Sequence, residues 1–121
     1  MTVWSLPAAL RAGAEGLYAL EAATGLIIAH GTWLARDGDF GRFICQGPGT
    51  AATDWEAAID ALQAGQLPCS AGERRMLYLA ASLADRAPVS LGEAVTGIDD
   101  RNVDILLTAI RHAAGRCGFP R

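Results

Sequence analysis

Cys69 stands directly before Ser70, and Ser70-Ala71-Gly72-Glu73 has the S/T-x-x-E spacing of a capping box at a helix start. A thiol near the unpaired amides of a helix N-terminus can lose its proton easily and become a nucleophile. The sequence sets no histidine beside Cys69, and a buried, inert cysteine is the commoner outcome. Cys69 therefore carries the reading as a thiol-dependent sensor or enzyme only as a second alternative. His30 would serve as a general base if the fold brought it to Glu21 or to an aspartate. Its neighbours Gly31 and Trp33 favour a packed histidine instead. His112 falls just before Gly115, where an imidazolium suits a helix C-terminus. Arg101 and Asn102 are chemically matched to the edges of guanine and adenine. The aspartates around them, Asp99, Asp100 and Asp104, lack the spacing of a calcium loop and suit a helix start better.

Stronger motifs are missing. There is no phosphate-binding G-x-x-x-x-G-K-[ST], no H-E-x-x-H and no G-x-S-x-G. Cys45, Cys69 and Cys117 are odd in number and widely spaced, which argues against a disulfide framework and a structural zinc site. No metal ligand set and no cofactor are expected. With 13 acidic residues against 10 basic ones the formal charge is −3, giving no global attraction to nucleic acid or anionic lipid. Every basic residue is arginine. The stretch Leu17 to Ala35 is the most apolar but is interrupted by Glu21 and His30, so it reads as a buried helix, not a membrane span. Met1 to Ser5 lacks the basic and apolar regions of a signal peptide, and the expected compartment is the cytosol.

The elements that must position these groups read as helices. The expected architecture is all-α, a single domain over residues 1–121 forming one bundle of five or six helices. A short helix from Ser5 ends near Gly13, and a long N-terminal helix runs from about Ala14 to Arg36, its apolar residues recurring at helical intervals. Asp37-Gly38 is expected to end it, with a turn or two holding Phe40 and Phe43 after it. This N-terminal arm, about 5–46, is separated by a loop at about 47–52, containing Gly47-Pro48-Gly49, from a C-terminal group at about 53–115. Thr53, Ser70 and Ser90 each begin an S/T-x-x-E pattern, and Asp99 caps a last helix carrying Val103, Leu106, Leu107 and Ile110. No strand pattern competes.

From Glu73 to Gly115 the order is helix, Pro88-containing turn, short helix, Gly97-Ile98-Asp99 and a longer helix. In outline this stretch resembles the trihelical core of helix-turn-helix DNA-binding domains. That resemblance implies a transcriptional regulator with Arg101 and Asn102 at the bases. Against it, the middle helix is short and aspartates crowd the first turn of the reading helix, where DNA phosphates would repel them. A second likeness rests on Asp54-Trp55-Glu56-Ala57-Ala58, Pro68-Cys69-Ser70-Ala71-Gly72-Glu73-Arg74-Arg75, Leu79-Ala80-Ala81-Ser82-Leu83-Ala84 and Asp99-Asp100-Arg101-Asn102-Val103. These segments resemble a group of small uncharacterised helical proteins from actinobacteria, which implies a GC-rich bacterial source and brings no activity.

The leading functional expectation is a non-enzymatic helical interaction or regulatory module, with a homodimer among its forms. Trp33, Phe40 and Phe43 are its expected contact residues, since aromatic clusters left uncovered mark partner surfaces. A protein partner or a second copy is favoured over nucleic acid, and no membrane is expected.

Overall fold

A computed structural model describes residues 5–120 of the chain; Met1 to Trp4, most of the stretch expected not to be a signal peptide, and Arg121 lie outside the described residues. The fold is mostly helical, with eight helical segments and one two-stranded sheet among the described residues. In order these are α1 (Leu6–Ala14), α2 (Tyr18–His30), α3 (Thr32–Ala35), α4 (Asp37–Phe40), β1 (Ile44–Gly47), β2 (Thr50–Thr53), α5 (Trp55–Gln63), α6 (Ala71–Leu83), α7 (Leu91–Val95) and α8 (Asp100–Ala113). A 3-10 turn at Gly41–Phe43 joins α4 to β1.

Helix α2 is the axis around which the rest assembles. It is packed by α1, α6 and α8, and Ala22, Ala23, Leu26 and Ile27 have no exposed surface. A helix covered from several sides carries apolar residues all round, not along one stripe. Its small residues are therefore used within the chain: Gly25 faces the ring of Phe119, whose nearest atom would lie 2.4 Å from an added Cβ.

The expected long N-terminal helix is two helices, α2 and α3, preceded by the end of α1. Gly16 and Gly31 both take positive φ, +93° and +81°, a conformation that ends an α-helix. Gly31 closes α2 in the left-handed region and at once begins α3. The apolar period ran across both breaks because Ile27 and Trp33 on either side of Gly31 enter the same core. Gly38, expected to terminate the long helix, lies inside α4 without a positive φ.

The expected loop at 47–52 is a β-hairpin. Ile44 pairs with Thr53 and Gly47 with Thr50, antiparallel, across Pro48-Gly49. Proline followed by a glycine at φ +73° is the residue order of a type II turn. Four-residue strands are marginal alone, and this pair survives because α1 lies on β2. Leu10, Ala9 and Ala51 form a small core there, and Gly13 approaches so closely that a Cβ would sit 2.1 Å from the Ala51 carbonyl oxygen.

The C-terminal helices start much as their sequences suggest. Ser70 and Glu73 complete both halves of the capping box on α6, with Glu73 Oε1 accepting from the Ser70 amide at 2.7 Å. Asp99 caps α8 by accepting from the Asn102 amide at 2.8 Å. At α5 the cap is Asp54, one residue later than the S/T-x-x-E pattern placed it, because Thr53 is held in β2. Ser90 precedes α7 without a side-chain cap bond. The main core joins Trp33, Phe40, Phe43, Trp55, Leu62, Met76, Leu77, Leu106 and Ala109. No helix of the described residues is long and apolar enough to cross a membrane.

Candidate functional site

The aromatic cluster expected at a partner surface is core. Trp33, Phe40 and Phe43 are 0%, 1% and 7% exposed, with the Trp33 and Phe40 rings 5.5 Å apart and Phe40 and Phe43 5.8 Å apart. Trp33, just past the left-handed Gly31, enters the main core. Its indole Nε1–H then donates to the Glu73 carbonyl at 2.9 Å, and the Arg36 guanidinium lies 4.8 Å over its ring. Arg36 also donates to Asp39 Oδ2 and to the Pro68 carbonyl, stitching the segment before α6 onto α3.

Cys69 is half-buried in that same corner. Burial pushes its thiol pKa up, and the Glu73 carboxylate pushes it further; Arg36 and Arg74 oppose them without reversing the shift. At the helix start itself, Ser70 and Glu73 complete the capping box on α6. Glu73, held by the Ser70 backbone amide, has its own carboxyl below the usual range.

Arg101 and Asn102 do not form a free base-reading pair. Asn102 is 6% exposed, with its Oδ1 buried and unpartnered. Arg101 reaches back to α2, its Nη2 donating to the Ala29 carbonyl at 2.7 Å. That bond crosses from the first turn of α8 to the last turn of α2, where His30 lies 8% exposed with Nδ1 unpartnered. Burial lowers the His30 pKa, and Arg101 lowers it further, against weaker opposing effects of Glu73 and Asp99. His30 is thus a neutral, enclosed ring. It does not meet Glu21: the two are nine residues apart on α2, which at 3.6 residues per turn sets them half a turn out of phase.

Glu21 has another partner, distant in the chain. Its Oε1 lies 2.7 Å from His112 Nε2, at the far end of α8. The Phe119 amide donates to His112 Nδ1 at 3.1 Å. A backbone N–H can only donate, so Nδ1 is the acceptor and Nε2 carries the proton given to Glu21. Glu21 Oε2 in turn accepts from the Gly16 amide at 2.9 Å. The Tyr18 ring stands edge-on to the imidazole at 6.3 Å, and the Phe119 ring lies at 5.9 Å. Both side chains are nearly enclosed, 7% exposed for His112 and 11% for Glu21.

The pair borders a cavity of about 250 Å³ lined also by Arg11, Glu15, Thr24, Gly25 and Phe119. Chemically the arrangement resembles the orienting half of a catalytic relay, a carboxylate fixing an imidazole. The outward half is absent, because the second ring nitrogen is taken by the Phe119 amide. The contacts bind four segments together: the turn after α1, helix α2, helix α8 and the C-terminal tail. Nothing in the order of residues pairs position 21 with 112; only the helix-end glycines, which set where α2 begins and α8 stops, hinted at it. Among the described residues no three His, Cys, Asp or Glu side chains are placed to hold a metal ion. Comparison of the chain with family models, with curated proteins and with solved structures gave no match.

Proposed function

We propose that this chain is a non-enzymatic helical interaction module that acts by presenting uncovered helix faces to a protein partner, a second copy included. The observation that carries this reading is the exposure, among the described residues, of five large apolar side chains: Leu17 at 59%, Tyr18 at 51%, Leu91 at 56%, Leu107 at 54% and Ile110 at 41%. Each of these half-exposed side chains forfeits part of the roughly 1.5–3 kcal/mol that full burial of an exposed one contributes, and association recovers some of it. The polar clusters support the same reading. Both ring nitrogens of His112 and both oxygens of Glu21 are committed to the chain itself, and Cys69 is held as a thiol. The contact surface lies at the start of α2, on α7 and on α8, not at the buried Trp33 cluster.

The test is sedimentation of the purified chain across the micromolar range, together with retention of polypeptides from its source cells on the immobilised chain. A stoichiometric polypeptide, either a second copy or another chain, is expected, and glutamate at Leu17, Leu91 or Leu107 should release it. A chain that stays monomeric and retains no polypeptide that these substitutions release overturns the reading.

A further inference from the structure

Helix α8 has two apolar faces. The inward one, Leu106, Ala109 and His112 with Asn102, is buried against the bundle. The outward one is formed by Val103, Leu107, Ile110 and Ala114, spaced four, three and four residues apart. That is the interval of a coiled-coil seam. Leu107 and Ile110 are its most apolar members and both are exposed, Val103 is half-buried and Ala114 is open to solvent. A helix whose only task is to cover its own core has charged or polar residues on this side.

The flanks of the seam are unequal. On one side stand Leu106 and Ala113, which belong to the core or pack against it. On the other stand Asp104 and Arg111, both exposed and seven residues apart, so they occupy the same position in successive heptads. Only this second flank is open to a partner. In an antiparallel pair of identical helices, an equivalent flank of each meets that of the other, running in the opposite direction. Asp104 of one copy then lies beside Arg111 of the other, and the two-fold axis repeats the contact. A parallel pair would set the open flank of one helix against the core-facing flank of the other.

From this charge order we infer that the occupant of the outer face of α8 is a second copy of this chain, packed antiparallel with Leu107 and Ile110 astride the two-fold axis. The inference rests on the interaction-module reading and names the partner and the face. The seam runs only from Val103 to Ala114, about 17 Å along the helix. So short a contact belongs among the small, weak interfaces, and the dimer dissociates in the micromolar range or above.

Sedimentation equilibrium of the full chain at low salt, with thermal melts to verify folding, tests this. Leu107→Glu is expected to give a folded monomer. Asp104→Arg and Arg111→Asp each replace two attractive contacts by two repulsive ones and should each weaken self-association roughly tenfold. The double variant Asp104→Arg/Arg111→Asp should regain wild-type affinity. An equimolar mixture of the two single variants should form a heterodimer more readily than either forms a homodimer. Self-association that survives Leu107→Glu, or charge reversals that the double variant fails to rescue, overturns this inference and leaves the module reading standing. So does a foreign polypeptide held by a chain that does not self-associate. A monomer that retains nothing overturns both.

Discussion

Glu21 and His112 are separated by 91 positions in the chain and by 2.7 Å in space. Their hydrogen bond closes the bundle, since it ties the start of the central helix to the end of the last one, and Phe119 and Gly16 extend the tie outward. A buried polar group that keeps its partner contributes modestly, but one that loses it carries the full desolvation cost.

Removing one member of this pair is therefore expected to be worse than removing both. Glu21→Leu leaves the imidazole N–H without its acceptor, and His112→Leu removes from the carboxylate the donor to Oε1. Each should lower the unfolding free energy by about 1–3 kcal/mol. The double variant should lose less than the sum of the singles, because neither member of the pair is then left facing a missing partner. Urea denaturation of the four chains measures the coupling directly. Singles that match the wild type, or losses that simply add, would show that the pair is not what closes the bundle.

His30 sets the pH dependence near neutrality. Its folded pKa is depressed by burial and by Arg101, so the unfolded chain takes up a proton before the folded one does. Stability is therefore complete above the ordinary value of 6.5 and falls as the pH drops below it. Glu73 acts in a separate, lower window. Its folded pKa is depressed from 4.5, so its contribution is present above that value and is lost as the pH falls through the folded pKa. Thermal melts between pH 8 and pH 5 should thus show a decline that His30→Gln removes. An unchanged pH slope in that variant would assign the decline elsewhere.

Local signals in the chain were more readable than distant ones. Ser5, Ser70 and Asp99 cap the helices they precede, and Gly65, Gly97 and Gly115 take the positive φ expected where helices stop. These features act within a few residues of themselves. The hairpin was missed because Ile44 to Thr53 lacks the alternation of a half-buried strand: only Ala51 among its eight strand residues is fully buried. What holds it is α1, more than thirty residues earlier in the chain. Trp33 was assigned to the surface for a related reason. Its burial comes from segments far along the chain, with the Glu73 carbonyl at the start of α6 accepting from its indole N–H. The Glu21–His112 pair likewise joins distant segments.

Cys69 should be the slowest of the three thiols. Burial and Glu73 raise its pKa above the ordinary 9.0, whereas Cys45 and Cys117 are exposed. Only the thiolate reacts. Iodoacetamide at pH 8, followed by peptide mass spectrometry, is expected to label positions 45 and 117 first. Cys69 should react more slowly than a free model thiol. Preferential labelling of Cys69 would restore the thiol-sensor reading that the geometry disfavours.

Two glycines inside helices should respond to alanine with opposite signs. Intrinsic propensity alone favours alanine by roughly 0.5–1 kcal/mol at an interior helical site. At Gly72, in the first turn of α6, the nearest atom to an added Cβ is Ser70 Oγ at 4.0 Å. Nothing resists the methyl group there, so Gly72→Ala should raise the melting temperature slightly. At Gly13, in α1, the added Cβ would meet the Ala51 carbonyl oxygen at 2.1 Å. That oxygen belongs to the backbone of β2 and cannot rotate aside. Relief requires α1 to move off the hairpin, which opens the small core of Leu10, Ala9 and Ala51. Gly13→Ala is therefore expected to destabilise despite its better helix propensity, and to raise hydrogen exchange at the β1–β2 amides above the rest of the chain. Equal stabilisation by both substitutions would mean that α1 and β2 do not pack at this distance, and that the hairpin holds without the helix above it.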